Sequence, residues 1–214
     1  MYDHQTRSLW SHITGEAVQG PLTGQQLKPL ASMPQIAWKT WQLNYPETLV
    51  LSVPTRDGMR ESINQDVYAD YHASQRAGVS GMEYTDSRLP NKSLVIGVQA
   101  PAKGGNTHFR AYPLIHFRET AIINDTLDGV PLLIFHDKMS FATAVFKRDA
   151  AGKVRTFRQK DRHFAEDDTG TRWNLITGEA VSGKDGGARL ERLPAVNIYW
   201  FAWARYHPET TIYQ

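Results

Sequence analysis

Two adjacent side chains, His136 and Asp137, close an apolar run from Val130, where a strand would deliver them to the rim of a sheet. His116 and Glu119 precede the neighbouring apolar run. Imidazoles and carboxylates gathered in this way are the residue types of a nitrogen-and-oxygen metal site or of an acid–base pair. His116, His136 and Asp137 are therefore the candidate metal ligands, and His136 and Asp137 the first candidates for catalysis. A second set recurs along the chain: Thr-Gly-Glu stands at 14–16 and again at 177–179, so Glu16 and Glu179 occupy equivalent points. Each could serve as a general base or bind a cation. A carboxylate beside a tight turn also accepts backbone N–H bonds and fixes a hairpin, and that structural role competes with catalysis.

Other chemistries lack an anchor. The sequence has no cysteine, which removes a thiol nucleophile, a cysteine-based zinc site and a disulfide framework. Neither His-Glu-x-x-His nor Gly-x-Ser-x-Gly is present, and His12, His72 and His163 are scattered. Gly104-Gly105-Asn106 and Gly186-Gly187 continue into neither a P-loop nor a dinucleotide fingerprint, so both read as turns. Lys and Arg are interspersed with carboxylates at a net charge of +2, which gives nucleic-acid binding no support. Tyr2-Asp3-His4-Gln5-Thr6-Arg7 after Met1 is not a signal core, and no apolar run approaches the ~20 residues that span a bilayer. The expectation is a soluble chain whose compartment and cofactor, if any, are left open.

The elements that must position these residues are organised by self-similarity. Trp10 to Gly20 matches Trp173 to Gly183 at eight of eleven positions. After a one-residue slip, Trp38 pairs with Trp200, Trp41 with Trp203, and Pro46-Glu47-Thr48 with Pro208-Glu209-Thr210. The organisation expected is a C-terminal half of a first module at 1–52 and a complete second module at 53–214, in which 164–214 repeat 1–52. On that reading the chain begins mid-module, and the first copy presents an apolar surface that a missing half would cover. Such a patch favours association, either as a homo-oligomer or by docking of 1–52 against the second module.

Locally, each copy predicts a short extended segment into Thr-Gly-Glu, with Gly15 and Gly178 at a turn that needs positive φ. Trp38, Trp41 and Tyr45, like Trp200, Trp203 and His207, fall at i, i+3, i+7 and predict one face of a short helix ended by Pro46 or Pro208, with Asn197 as a possible cap of the second. Paired tryptophans could stack on sugars, but a stripe at helical spacing points to core. β-rich runs at Thr48 to Val53 and Thr210 to Tyr213 follow. Between the copies, strands are predicted over 94–99, 109–114, 121–124, 130–136, 141–148 and 154–158, with a short helix within 64–76. Many short strands and few helices give a mainly β protein (α+β the alternative): an antiparallel sandwich or barrel-like module.

The runs Met1 to Val18, Phe109-Arg-Ala-Tyr-Pro-Leu, Ile123-Asn-Asp-Thr-Leu-Asp-Gly-Val-Pro and Trp200-Phe-Ala-Trp-Ala-Arg-Tyr-His-Pro-Glu-Thr resemble the bacterial domain-of-unknown-function 3179 family over essentially the whole chain. The resemblance implies no activity. Relatives often carry two modules and look exported, and the first module bears Cys-Pro-Leu-Cys after a strand that follows Asn-Asp-Thr. At the corresponding place this chain has Phe135-His136-Asp137-Lys138, which removes the redox or metal role those cysteines would imply. Asn124-Asp125-Thr126 itself is also ordinary turn chemistry.

Turn and packing residues dominate the repeated motif, and convergent ionisable groups are few. The leading functional expectation is thus a non-enzymatic binding or interaction module. The alternative is a metal-dependent or acid–base enzyme with a site around His136 and Asp137, which requires those side chains to converge.

Overall fold

Consecutive apolar side chains through the middle of the chain, as in Leu132 to Phe135, produce strands that are buried on both faces. The computed structural model describes residues 1–28, 35–52, 65–83, 86–101, 105–118, 121–150 and 152–214. In chain order the elements are β1 (Leu9–Trp10), β2 (Ala17–Gln19), α1 (Trp38–Asn44), α2 (Ala69–Ala73), β3 (Leu94–Pro101), β4 (Thr107–Pro113), a 3-10 turn (Leu114–Phe117), β5 (Ile122–Leu127), β6 (Val130–Asp137), β7 (Ala142–Lys147), β8 (Asp149–Ala150), β9 (Lys153–Val154), β10 (Phe157–Asp161), β11 (Phe164–Asp167), β12 (Arg172–Asn174), β13 (Ala180–Ser182), β14 (Ala195–Tyr199), α3 (Trp200–Tyr206) and β15 (Thr211–Ile212).

Three sheets and a helix stack in layers. Strands β5-β6-β7 form the central sheet. One of its faces, through Leu132, Ile134 and Val145, packs on Ile96, Val98 and Tyr112 of the sheet β14-β3-β4-β15. The opposite face, through Leu133, Phe135 and Phe146, packs on Phe157, Ala165 and Trp173 of the sheet β10-β11-β12-β13. Helix α3 then covers the outer side of β3-β4 with Trp200 and Trp203, over Val95 and Ala111. The protein is mainly β with sheets packed face to face, and the described residues form no closed barrel. One pairing departs from the antiparallel expectation: β15 runs parallel to β4, with Thr211 opposite Arg110 and Ile212 opposite Ala111.

The two similar sequence segments take the same local structure. Leu9 pairs with Gln19 and Trp10 with Ala17 across a bulge, and Arg172 pairs with Ser182 and Trp173 with Ala180 across a bulge at the same point. Gly15 and Gly178 adopt φ of +74° and +78°, the left-handed conformation the turn demands. Helices α1 and α3 each span seven residues, and in each the second indole donates to a following threonine at 2.9 Å, Trp41 to Thr48 and Trp203 to Thr210.

Their surroundings differ. Trp200 and Trp203 are fully buried, as the helical stripe predicts, whereas Trp38 is 48% exposed. Residues 48–52 form no strand, although the equivalent Thr211–Ile212 does, and Leu49 and Leu51 stand 95% and 92% exposed. β-propensity at 48–52 is unmet because no strand among the described residues lies beside it, so pairing and not composition decides the outcome. Val53 lies outside the described residues, as does Asn64 of the predicted 64–76 helix, of which Ala69–Ala73 is helical. Asn197 does not cap α3. It sits within β14 and bonds Thr143, and Tyr199 occupies the cap position.

Candidate functional site

Strand β6 ends on His136 and Asp137, and strand alternation sends consecutive side chains to opposite faces of the sheet. His136 turns into the layer shared with β14. Its Nδ1 lies 2.9 Å from Oγ1 of Thr143, its cross-strand partner, and Asn197 joins that hydroxyl at 2.9 Å. The ring is held edge-on between Phe117 and Phe141. Burial depresses its pKa, and the neighbouring Asp137 charge only partly opposes this, so His136 is a neutral, satisfied core histidine.

Asp137 faces the other way and, among the described residues, accepts four hydrogen bonds. Its Oδ2 accepts from Nε of Arg162 at 2.8 Å, from the hydroxyl of Ser140, and from His163, whose Nε2 lies 3.1 Å away. Its Oδ1 accepts the Met139 N–H at 3.1 Å. Burial alone would raise the pKa. Hydrogen bonds from Ser140, His163, the Met139 amide and Arg162 outweigh it and hold the carboxyl well below the usual range, ionised. An ionised carboxylate only accepts, so the proton on the His163 ring sits on Nε2, and Nδ1 is the basic nitrogen of the neutral form.

The residues singled out in the sequence are thus not one constellation. His116 lies on the 3-10 turn with its ring edge-on to Tyr213, 5.4 Å between centroids, in an open cleft it shares with Arg88 and the C-terminal residues. Glu119 lies outside the described residues. Among the described residues, no group of three or more His, Asp or Glu side chains could hold a metal ion. Asp137 converges instead with Ser140, Arg162 and His163. Sequence spacing gave no sign of this, because Arg162 and His163 occupy the turn between β10 and β11 and meet Asp137 only when that sheet folds over β6.

Neither Thr-Gly-Glu carboxylate is among the groups gathered with Asp137. Glu179 forms an exposed ion pair with Arg189, and Glu16 is exposed. In both copies the turn is fixed by hydroxyls and amides: Thr14 and Thr177 each accept the N–H of the following glutamate at 3.3 Å, and Ser11 and Asn174 accept the N–H of Thr14 and Thr177. Asn124 of the Asn-Asp-Thr segment exchanges two 2.9 Å bonds with the backbone of Phe157, which stitches β5 to β10. Asp125 accepts from Arg110 at 2.7 Å and from the buried Tyr112 hydroxyl at 2.8 Å. These groups hold sheets together.

Near the Asp137 rim, the first copy docks on the rest of the chain. The Ala37 N–H donates to the Ser140 carbonyl at 2.8 Å, and Asn174 donates to the Asn44 side chain at 3.0 Å. Ile36 and Tyr45 rest against the core beneath. This docking uses one side of α1 and leaves Trp38, Leu43 and residues 49–51 outward. Leu43 lies on a different side of the helix from Trp38, and the outward apolar strip consists of Trp38, the adjacent Trp41 and the residues that Trp41 anchors through Thr48, Leu49 to Leu51.

No curated protein and no solved structure matches the chain. No helix among the described residues is long and apolar enough to cross a membrane. The family model described as "Protein of unknown function (DUF3179)" matches residues 1–210 of the 214, and the chain belongs to that family.

Proposed function

We propose that the protein is a non-enzymatic interaction module that engages a protein partner through the strip formed by α1 and residues 48–51. The observation that carries this reading is the difference between two locally identical units. One has its indoles fully buried and its tail paired in a sheet, and the other leaves Trp38 half exposed with Leu49 and Leu51 almost wholly in water. Leaving that apolar area in water forgoes about 25 cal/mol for each Å² that a partner would cover. Domain organisation fits the same reading, with 1–52 as a C-terminal half-module set against a complete module at 53–214. The test is sedimentation of the wild-type chain against Leu49→Asp/Leu51→Asp over the micromolar range. Concentration-dependent association that disappears in the variant is expected, with an unchanged unfolding midpoint. A wild type as monodisperse as the variant would exclude a second copy as the partner, and a chain that in addition binds no hairpin peptide would sink the reading.

One observation favours a second reading, acid–base chemistry at the sheet rim: a buried ionised carboxylate orients the His163 imidazole with its basic Nδ1 turned away from the carboxylate. Its centre is Asp137 with His163, and His136 belongs to the core. Nitrogen chemical shifts of His163 test it, since a ring protonated on Nδ1 in the neutral form would exclude the arrangement.

A further inference from the structure

The occupant of the exposed strip can be specified from within the chain, because the equivalent unit is already covered. Around α3 and β15 the cover is a two-stranded antiparallel hairpin, β3 with β4. It provides two things. Gly97 of β3 lies directly under the Trp203 ring, and a Cβ there would stand 2.3 Å from the indole. The outer edge of β4 pairs in parallel with Thr211–Ile212, and beyond it Tyr213 stacks on Tyr112 at 5.3 Å. By position, Trp41 corresponds to Trp203, Leu49 to Thr211, Val50 to Ile212 and Leu51 to Tyr213.

The first unit presents this surface in the same local geometry. Trp41 holds Thr48 as Trp203 holds Thr210, so the tail leaves the helix in the same direction. The backbone at the helix end agrees: Tyr45 has φ −137° and ψ 69°, and His207 has φ −132° and ψ 69°. Residues 49–51 form no strand and keep Leu49, Val50 and Leu51 exposed, which leaves their backbone open to strand addition. Positions that differ on the covered face include Ala204, fully buried against the hairpin and replaced by the exposed Gln42, and His207, stacked on Phe109 of the hairpin and replaced by Tyr45, which rests against the core.

We infer that the strip binds a β-hairpin supplied by another polypeptide, which adds a strand parallel to residues 49–51 and sets a glycine or other small residue beneath Trp41. This rests on the interaction reading above. Because Gln42 adds a polar group to the face, the hairpin carries a hydrogen-bonding side chain opposite it. A hairpin without that side chain leaves the Gln42 amide desolvated and unpaired.

A backbone-cyclised peptide with the sequence of residues 94–113 serves as the probe, titrated into the full chain with tryptophan emission and amide chemical shifts as readouts. Saturable binding is expected, with shifts centred on 38–51. Changing the glycine that corresponds to Gly97 to leucine in the probe weakens binding at least tenfold, and so does Val50→Asp in the chain. Gln42→Ala strengthens it severalfold, a gain that no loss of folding could imitate. Binding that ignores the probe's glycine, or that shifts residues elsewhere, overturns the hairpin assignment. If the probe fails while the chain associates with itself through a strip that Leu49→Asp/Leu51→Asp disrupts, the hairpin inference falls and the interaction reading stands. If neither binding nor self-association occurs, both fall.

Discussion

Gly97 and the indole of Trp203 are in such close apposition that no side chain can be placed between them. The relationship fixes the distance of α3 from the β3–β4 hairpin, since neither the strand backbone nor a fully buried ring can retreat. Gly97→Ala should cost about 1–3 kcal/mol, the usual range for overpacking. Trp203→Phe in the same chain should return part of that loss. Denaturant midpoints of the two single variants and the double variant measure the coupling, and the double variant should lose less stability than the sum of the two single losses.

Acid should reveal the carboxylate at the rim of β6. The pKa of Asp137 in the folded protein lies below its unfolded value of about 3.9. Its contribution is therefore complete above that pH and is lost as pH falls through the folded value. Asp137→Asn should lower stability by about 2 kcal/mol at neutral pH, the order expected for hydrogen bonds to a charged group. The stability difference from wild type should shrink steadily below about pH 4. A constant difference down to pH 2 would place the stabilisation elsewhere.

His207 offers the opposite kind of change. Its ring stacks on Phe109 at 4.0 Å and meets Trp203 at 4.3 Å, and Nε2 is buried without a hydrogen-bond partner among the described residues. Burial lowers its pKa, so below about pH 6.5 the unfolded chain takes up a proton that the folded chain refuses, and stability falls. His207→Phe should be neutral to stabilising by up to about 1 kcal/mol. It should also flatten the stability profile between about pH 6.5 and 5, as read by thermal melts.

Removing Asn124 should loosen the seam between two sheets. Asn124→Ala deletes both bonds to Phe157 and leaves its buried amide and carbonyl to find water, at about 2 kcal/mol. Hydrogen exchange should accelerate first at the Phe157 amide.

Much of the architecture is legible in the sequence because it depends on local pattern. Apolar runs over 94–99 and 130–136, bounded by turn residues, give β3 and β6 nearly to their ends, and the aromatic residues at i, i+3, i+7 give both helices. Failures occur where the outcome depends on a neighbour. Among the described residues, Leu49 to Leu51 have the composition of a strand but no strand to pair with, and Trp38 has the spacing of a core residue but no sheet to cover it. The candidate site divides in the same way. Asp137 is legible as a rim carboxylate, but strand alternation separates it from His136, and its partners Ser140, Arg162 and His163 arrive from two different turns. Chain spacing carries no record of that meeting.

The pairing of β14 with β3 also governs how the protein folds. Ala195 lies opposite Val98 and Tyr199 opposite Leu94, so this ladder joins strands about a hundred residues apart, and the β15–β4 pair spans a similar loop. Closing such loops precedes any reward from the contacts they bring, which makes refolding a matter of milliseconds to seconds. Until it happens, both edges of the β3–β4 hairpin are open to other chains, and refolding yield should fall as protein concentration rises.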